Sequence, residues 1–141
     1  ADMATLAVES SSLAQLLDPH VVKVVTDAAQ MALYFSRAPI PWWRDSFAIE
    51  EKRLPPGASF LRHVGLYAYR AGFVRGYPQL SRAPIEGVES LEQLRVLWHG
   101  GRIRVALAAQ APGPGVDTPE DLRALECHLA TVMPSGDRAG R

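Results

Sequence analysis

A run of large and small side chains from Phe60 to Arg70, with one glycine at its centre, constrains this chain more than any other stretch. Read with the two-residue period of a strand, it puts His63, Gly65, Tyr67 and Tyr69 on one face and Val64, Leu66 and Ala68 on the other. The second face reads as the buried one. On the first, an imidazole and a phenol flank a residue without a side chain, which leaves room for a small polar ligand to reach the backbone. The plainer reading is a half-exposed strand whose glycine marks a bulge.

Upstream, Ala1–Val8 enters a strand with almost no lead-in and no initiator methionine, as expected of a chain cut from a longer one. Ser10–Ser12 supply capping hydroxyls for a short helix carrying Leu13, Leu16 and Leu17, which Asp18-Pro19 stops. The β-branched run Val21–Thr26 predicts a strand covered on both faces. Asp27–Gln30 then reads as a tight connection to a second strand over Met31–Arg37, giving a hairpin. Alternation aligns Arg37 with Met31, Leu33 and Phe35, so a guanidinium ends an otherwise apolar face. It either snorkels to solvent or awaits an anion. Ala38–Pro41 blocks helix and central strand alike, and a long connection from Trp42 to Ala58 follows. Trp42 and Trp43 carry too much apolar area to leave in water, so they pack on the body or meet a partner.

Downstream, Ala71–Tyr77 suits a short helix closed by Pro78, and Pro84 opens a longer one from Ile85 to His99. Its expected buried side carries Val88, Leu91, Leu94, Leu97 and Trp98, with Gly100-Gly101 as the stop. Glu89, Glu92, Gln93 and Arg95 lie outside that stripe and read first as a solvated face. Ile103–Ala109 is the next strand. In Gly115–Leu122, Thr118 is the predicted N-cap, Pro119 the first helical residue and Asp121 the closing member of a capping box. Leu122, Leu125, Leu129 and Val132 form the stripe of that last helix. Asp117, just outside its N-terminus, is placed either as a second cap or as a metal ligand.

Strands alternating with helices, several of them near-continuous apolar runs, define an α/β class with a mixed, largely parallel sheet flanked by helices. In such sheets ligands sit beyond the carboxyl ends of the strands. The 15 basic and 15 acidic residues cancel without long runs of one sign, which argues against nucleic acid or an anionic membrane as partner. A lone Cys127 excludes an internal disulfide framework, no apolar run is long enough for a signal core or spanning helix, and the expected location is the cytoplasm. The residues alone lead to a polar small-molecule site, with no phosphate-cradling glycine loop and no zinc spacing.

The segments MALYFSRAPIPW from Met31, PGASFLRHVGLYAYRAGF from Pro56, ESLEQLRVLWHGGRI from Glu89 and PGVDTPEDLRAL from Pro114 extend the reading. Together they resemble, in order, the carboxyl-terminal half of the 3-deoxy-manno-octulosonate (Kdo) cytidylyltransferases, the CMP-Kdo synthetases. The resemblance implies a nucleotide-diphospho-sugar transferase-like fold whose amino-terminal half is missing. Residues 1–133 would then form a sugar-binding and dimerisation half, and 134–141 a flexible tail. It also implies a homodimer that couples Kdo to CTP, with pyrophosphate leaving, for lipopolysaccharide synthesis.

Position by position, the resemblance implies that Arg37 meets the sugar acid, that His63 and Tyr67 contact the sugar, and that Glu92 and Gln93 bind its hydroxyls. Asp117 matches one of two aspartates that hold magnesium (Mg2+). The family's phosphate loop, cytosine pocket and other magnesium aspartate have no counterpart here, so the chain alone is expected to be inactive. His20 stands where the family often has Asn, and Trp43 where Asp is common. A non-catalytic dimerisation fragment and a cytidylyltransferase for a related sugar acid, such as sialic acid, are the alternatives. A sheet edge uncovered by the missing half would favour aggregation.

Overall fold

The computed structural model describes residues 1–48, 52–109 and 119–132, in two compact units divided at Gln110 and Ala111. In the first, strand β1 (Met3–Ser10) buries Met3, Thr5 and Ala7. Helix α1 (Leu13–Leu17) starts at the predicted serines, where Ser12 accepts the Gln15 N–H at 3.3 Å. Strands β2 (Lys23–Thr26) and β3 (Ala32–Ser36) form the expected hairpin. Its turn is built by Asp27, whose carboxylate accepts the N–H groups of Ala29 and Met31, with Gln30 at φ 56°.

A short helix α2 (Arg44–Phe47) lies within the long connection. It drops Phe47 into a satellite cluster with Leu16, Phe60 and Trp43, while Trp42 stays 53% exposed against the Phe47 ring. Strand β4 (Phe60–Tyr69) leads to α3 (Ala71–Gly76), and a 3₁₀ turn at Tyr77–Gln79 takes in Pro78. Helices α4 (Pro84–Glu89) and α5 (Gln93–Trp98) precede β5 (Ile103–Leu107). The second unit contributes α6 (Pro119–Val132), which begins at the predicted proline; the expected Thr118 cap and the tail lie outside the described residues. Leu122 and Leu129 of α6 remain 47% and 45% exposed, so the stripe read as buried has no covering layer among the described residues of that unit.

The strand order is β3-β2-β4-β1-β5. The sheet is mixed, but only the β1–β5 ladder is parallel; β3–β2, β2–β4 and β4–β1 are antiparallel, which corrects the expectation of a largely parallel sheet. A tight turn cannot carry the crossover that parallel neighbours require, and the Asp27–Gln30 connection therefore dictates an antiparallel pair. The sheet curls until its ends meet: Val105 donates its N–H to the Gln30 carbonyl at 2.9 Å, and Met31 bridges to Arg104.

Two further corrections position the site. In the β1–β4 ladder Leu6 pairs with Val64 but Thr5 with Tyr67, so Gly65 and Leu66 bulge out, as the plainer reading of that glycine required. The buried face of β4 is the one carrying His63 and Tyr67. Leu66 is 62% exposed, because Leu91, Leu94 and Val96 cover the opposite side from the one expected. The single helix predicted from Ile85 to His99 is broken at Ser90, which adopts φ 52°. The break turns α5 so that Gln93, Leu94 and Val96 face inward, while Val88 and Trp98 stay 85% and 57% exposed. Glu86 and Arg95 clamp the two helices across the break with contacts of 2.8 and 2.5 Å.

Candidate functional site

The start of α5, the end of β4 and the turn after α3 enclose a cavity of about 500 Å³. Met3, Val74, Pro78 and Val96 supply apolar wall, and Tyr67, Tyr69, Tyr77, Glu92 and Gln93 supply the polar groups. An apolar pocket with a few convergent polar groups is the usual form of a small-molecule site. Arg95 lies 5.0 Å over the Tyr77 ring, and the Tyr77 hydroxyl donates to the Glu92 carbonyl at 3.3 Å, so the α4–α5 clamp also fixes this wall.

Gln93 opens α5 and is only 5% exposed, yet its Nε2 has no hydrogen-bond partner among the described residues. A buried amide donor left unmade costs free energy, and an acceptor entering the cavity would satisfy this one. Burial, then the neighbouring Tyr69, Glu92 and Tyr77, push the Tyr67 phenol well above its ordinary value. It is therefore a neutral hydroxyl at physiological pH.

His63 adjoins Tyr67 with ring centroids 5.4 Å apart and stands edge-on to Phe35 at 5.0 Å. Its Nε2 lies 2.9 Å from the Thr5 hydroxyl, which is directed at the bulge carbonyls of Leu66 at 2.9 Å and Val64 at 3.1 Å. With the single hydroxyl proton given to a carbonyl, the imidazole donates through Nε2. Burial lowers the His63 pKa from 6.5 to about 4. Below pH 6.5 the unfolded chain takes up a proton that the folded one refuses until about pH 4, so stability falls as pH falls through that window. Between pH 7 and 5 His63 alone is expected to cost about 1–2 kcal/mol. Urea unfolding of the wild type and His63→Gln at both pH values reads it; equal losses in the two proteins would remove the assignment.

Arg37 lies just beyond β3 and does not line the cavity. Its Nε donates to the Glu89 carbonyl at 2.8 Å, Nη1 to the Pro19 carbonyl at 3.0 Å and Nη2 to the Ser90 carbonyl at 3.5 Å. Among the described residues no carboxylate pairs with it. Glu89, read in sequence as part of a solvated face, instead reaches β3. Its carboxylate accepts from the Ser36 hydroxyl at 2.7 Å, the Tyr34 hydroxyl at 3.1 Å and the Arg37 peptide N–H at 3.0 Å. Burial pushes this carboxyl up, but the bonds from Ser36, Arg37 and Tyr34 and the nearby guanidinium outweigh it and hold the pKa below the ordinary value.

Of the residues singled out in sequence, Tyr67, Glu92 and Gln93 therefore share the cavity, His63 stands behind Tyr67, and Arg37 stands apart from the cavity beside the α4–α5 break. Asp117 lies outside the described residues, and among those described no three His, Cys, Asp or Glu gather as a metal site. Tyr77, Val74 and Pro78 were missed as cavity wall; the aromatic-proline pair at a helix end was their one signal. Among the described residues no helix is long and apolar enough to cross a membrane.

Residues 1–103 match the cytidylyltransferase family model. The chain is 58% identical over 134 residues to the 3-deoxy-manno-octulosonate cytidylyltransferase of Alkalilimnicola ehrlichii, covering 95% of this chain and 52% of that protein. It is 56% identical over 127 residues to the enzyme of the same name from Leptothrix cholodnii, covering 90% and 46%. A solved structure of CMP:2-keto-3-deoxy-manno-octonic acid synthetase complexed with CTP aligns with a TM-score of 0.78 and 42% identity, over 94% of this chain and 50% of that one. The chain thus spans about half the length of the curated relatives it matches.

Proposed function

The chain belongs to the cytidylyltransferase family, and from that premise we propose that it supplies the sugar-acid-recognising part of an enzyme transferring CMP from CTP to the 2-hydroxyl of Kdo. The products are CMP-Kdo and pyrophosphate. The observation that carries this reading is the buried, unpartnered Gln93 amide in a cavity it shares with Glu92 and Tyr67. A polyhydroxylated acid offers the oxygens that such a donor lacks, while the Glu92 carboxylate accepts from sugar hydroxyls and the neutral Tyr67 hydroxyl does either. Arg37 has donors to spare and suits the sugar's carboxylate.

The contribution of these residues is binding and orientation, which bring the 2-hydroxyl to bear on the α-phosphorus. Magnesium would neutralise phosphate charge during the transfer. Its one proposed ligand in this chain is Asp117, which lies outside the described residues. A homodimeric assembly, the cytoplasm and service to lipopolysaccharide synthesis belong to the same proposal.

A related sugar acid remains the alternative substrate. Calorimetric titration of the chain with Kdo and with sialic acid separates the two. Kdo is expected to bind saturably and at least tenfold more tightly; tighter sialic acid binding would transfer the assignment to that substrate, and saturable binding of neither would end both.

A further inference from the structure

Arg37 is held by its main chain as firmly as by its side chain. On one side of residue 37 the Glu89 carboxylate accepts the peptide N–H at 3.0 Å; on the other, the Lys23 ammonium donates to the carbonyl at 2.5 Å. Lys23 lies within the run that the sequence predicts as a covered strand. It is fully buried, and its Nζ also donates to the carbonyls of Asp18 at 2.9 Å and Val21 at 2.6 Å. These bonds fix the loop whose Pro19 carbonyl receives Arg37 Nη1, and the main chain of Glu89 receives Arg37 Nε. Opposite charges thus flank residue 37 on its two successive peptide units, and each also anchors a carbonyl or segment that the guanidinium uses.

The consequence lies in what the guanidinium has left. Its Nε–H and one N–H on each terminal nitrogen are taken by carbonyls, and a second N–H on each terminal nitrogen is not engaged among the described residues. Carbonyl partners orient the fork without pairing it directly to a carboxylate, which leaves donors on both terminal nitrogens for one. We propose that Glu89, braced by Lys23, is a positioning residue that presets the Arg37 fork for the carboxylate of the incoming acid. This rests on the reading of Arg37 as the acid's partner. It adds that acid affinity is set by a residue that does not touch the acid.

Glu89→Ala, Glu89→Gln, Arg37→Ala and the double variant Glu89→Ala/Arg37→Ala of the whole chain test it, titrated with Kdo and with its uncharged methyl ester. Glu89→Ala is expected to weaken Kdo at least tenfold and leave the ester within twofold, Glu89→Gln to recover part of the loss, and the double variant to be no worse than Arg37→Ala. Equal losses for acid and ester, or additive losses in the double variant, would overturn the proposal. A second readout needs no ligand. The ¹⁵N signal of Arg37 Nε is expected to be ordered in the wild type and mobile in Glu89→Ala; an ordered signal in both would refute the positioning role. Failure of the wild type to bind Kdo would remove the substrate reading, and the Nε signal would still decide whether Glu89 presets Arg37.

Discussion

Phe35→Ala is expected to lower stability by about 3–5 kcal/mol, the largest effect of any single truncation argued for this chain. Phe35 has no exposed surface and sits in the main core with Val24, Leu91, Leu94 and Ala7. Removing the ring takes away its transfer free energy and leaves a cavity between strand and helix elements that the sheet's ladders keep from collapsing. It also removes the edge-on contact with His63, an interaction worth about 0.5–1.5 kcal/mol beyond burial. The vacated space gives water access to the imidazole, so the His63 pKa is expected to climb from about 4 back toward 6.5. Urea unfolding reads the first effect and proton NMR titration of His63 the second. A loss below about 1 kcal/mol would show that the core repacks around the gap, contrary to the rigid arrangement described.

Gln93→Met is expected to act in the opposite direction on the fold and against function. Methionine approximates the length of glutamine and carries no N–H, so the substitution abolishes a buried donor without a partner. The gain is expected to be about 1–2 kcal/mol, because leaving such a group unsatisfied costs about 1–3 kcal/mol. Kdo affinity is expected to fall at least tenfold, since a sugar oxygen loses the Gln93 amide donor. Stability held in reserve at a binding group is a common cost of a prepared site. Thermal unfolding and calorimetry on the same preparation measure both; a destabilised variant would mean that Nε2 is already satisfied in the folded chain.

The parts of this architecture that local chemistry specifies were legible. Ser12 capping α1, the Asp27–Gln30 turn and the stop at Gly100, with its φ of 76°, are decided within a few residues. The bulge at Gly65 was legible as one of two readings. What failed depended on distant partners. Both faces of β4 carry large apolar side chains, and only the placement of α5 decides that His63 and Tyr67 are the covered ones. The break at Ser90 has no glycine or proline to announce it; it is sustained by Glu89 reaching Ser36, across 53 residues of sequence. The role of Lys23 was not legible because its three acceptors are main-chain carbonyls, which have no side-chain signature. For the site, residue types pointed correctly to a polar ligand, but which of them share a cavity was set by that same helix break. Parallel pairing was inferred from alternating element types and failed at the hairpin, whose short turn overrode the class-level pattern.

The meeting of the two ends of the curled sheet bears on how this half-length chain behaves among its own copies. A strand from a neighbouring molecule seeking main-chain partners would find the turn at Gln30 lying across β5 on one flank. On the other it would find a carboxylate already seated on the peptide that follows β3. At both points the main-chain groups already have partners within the first unit, so those groups are not available to an added strand.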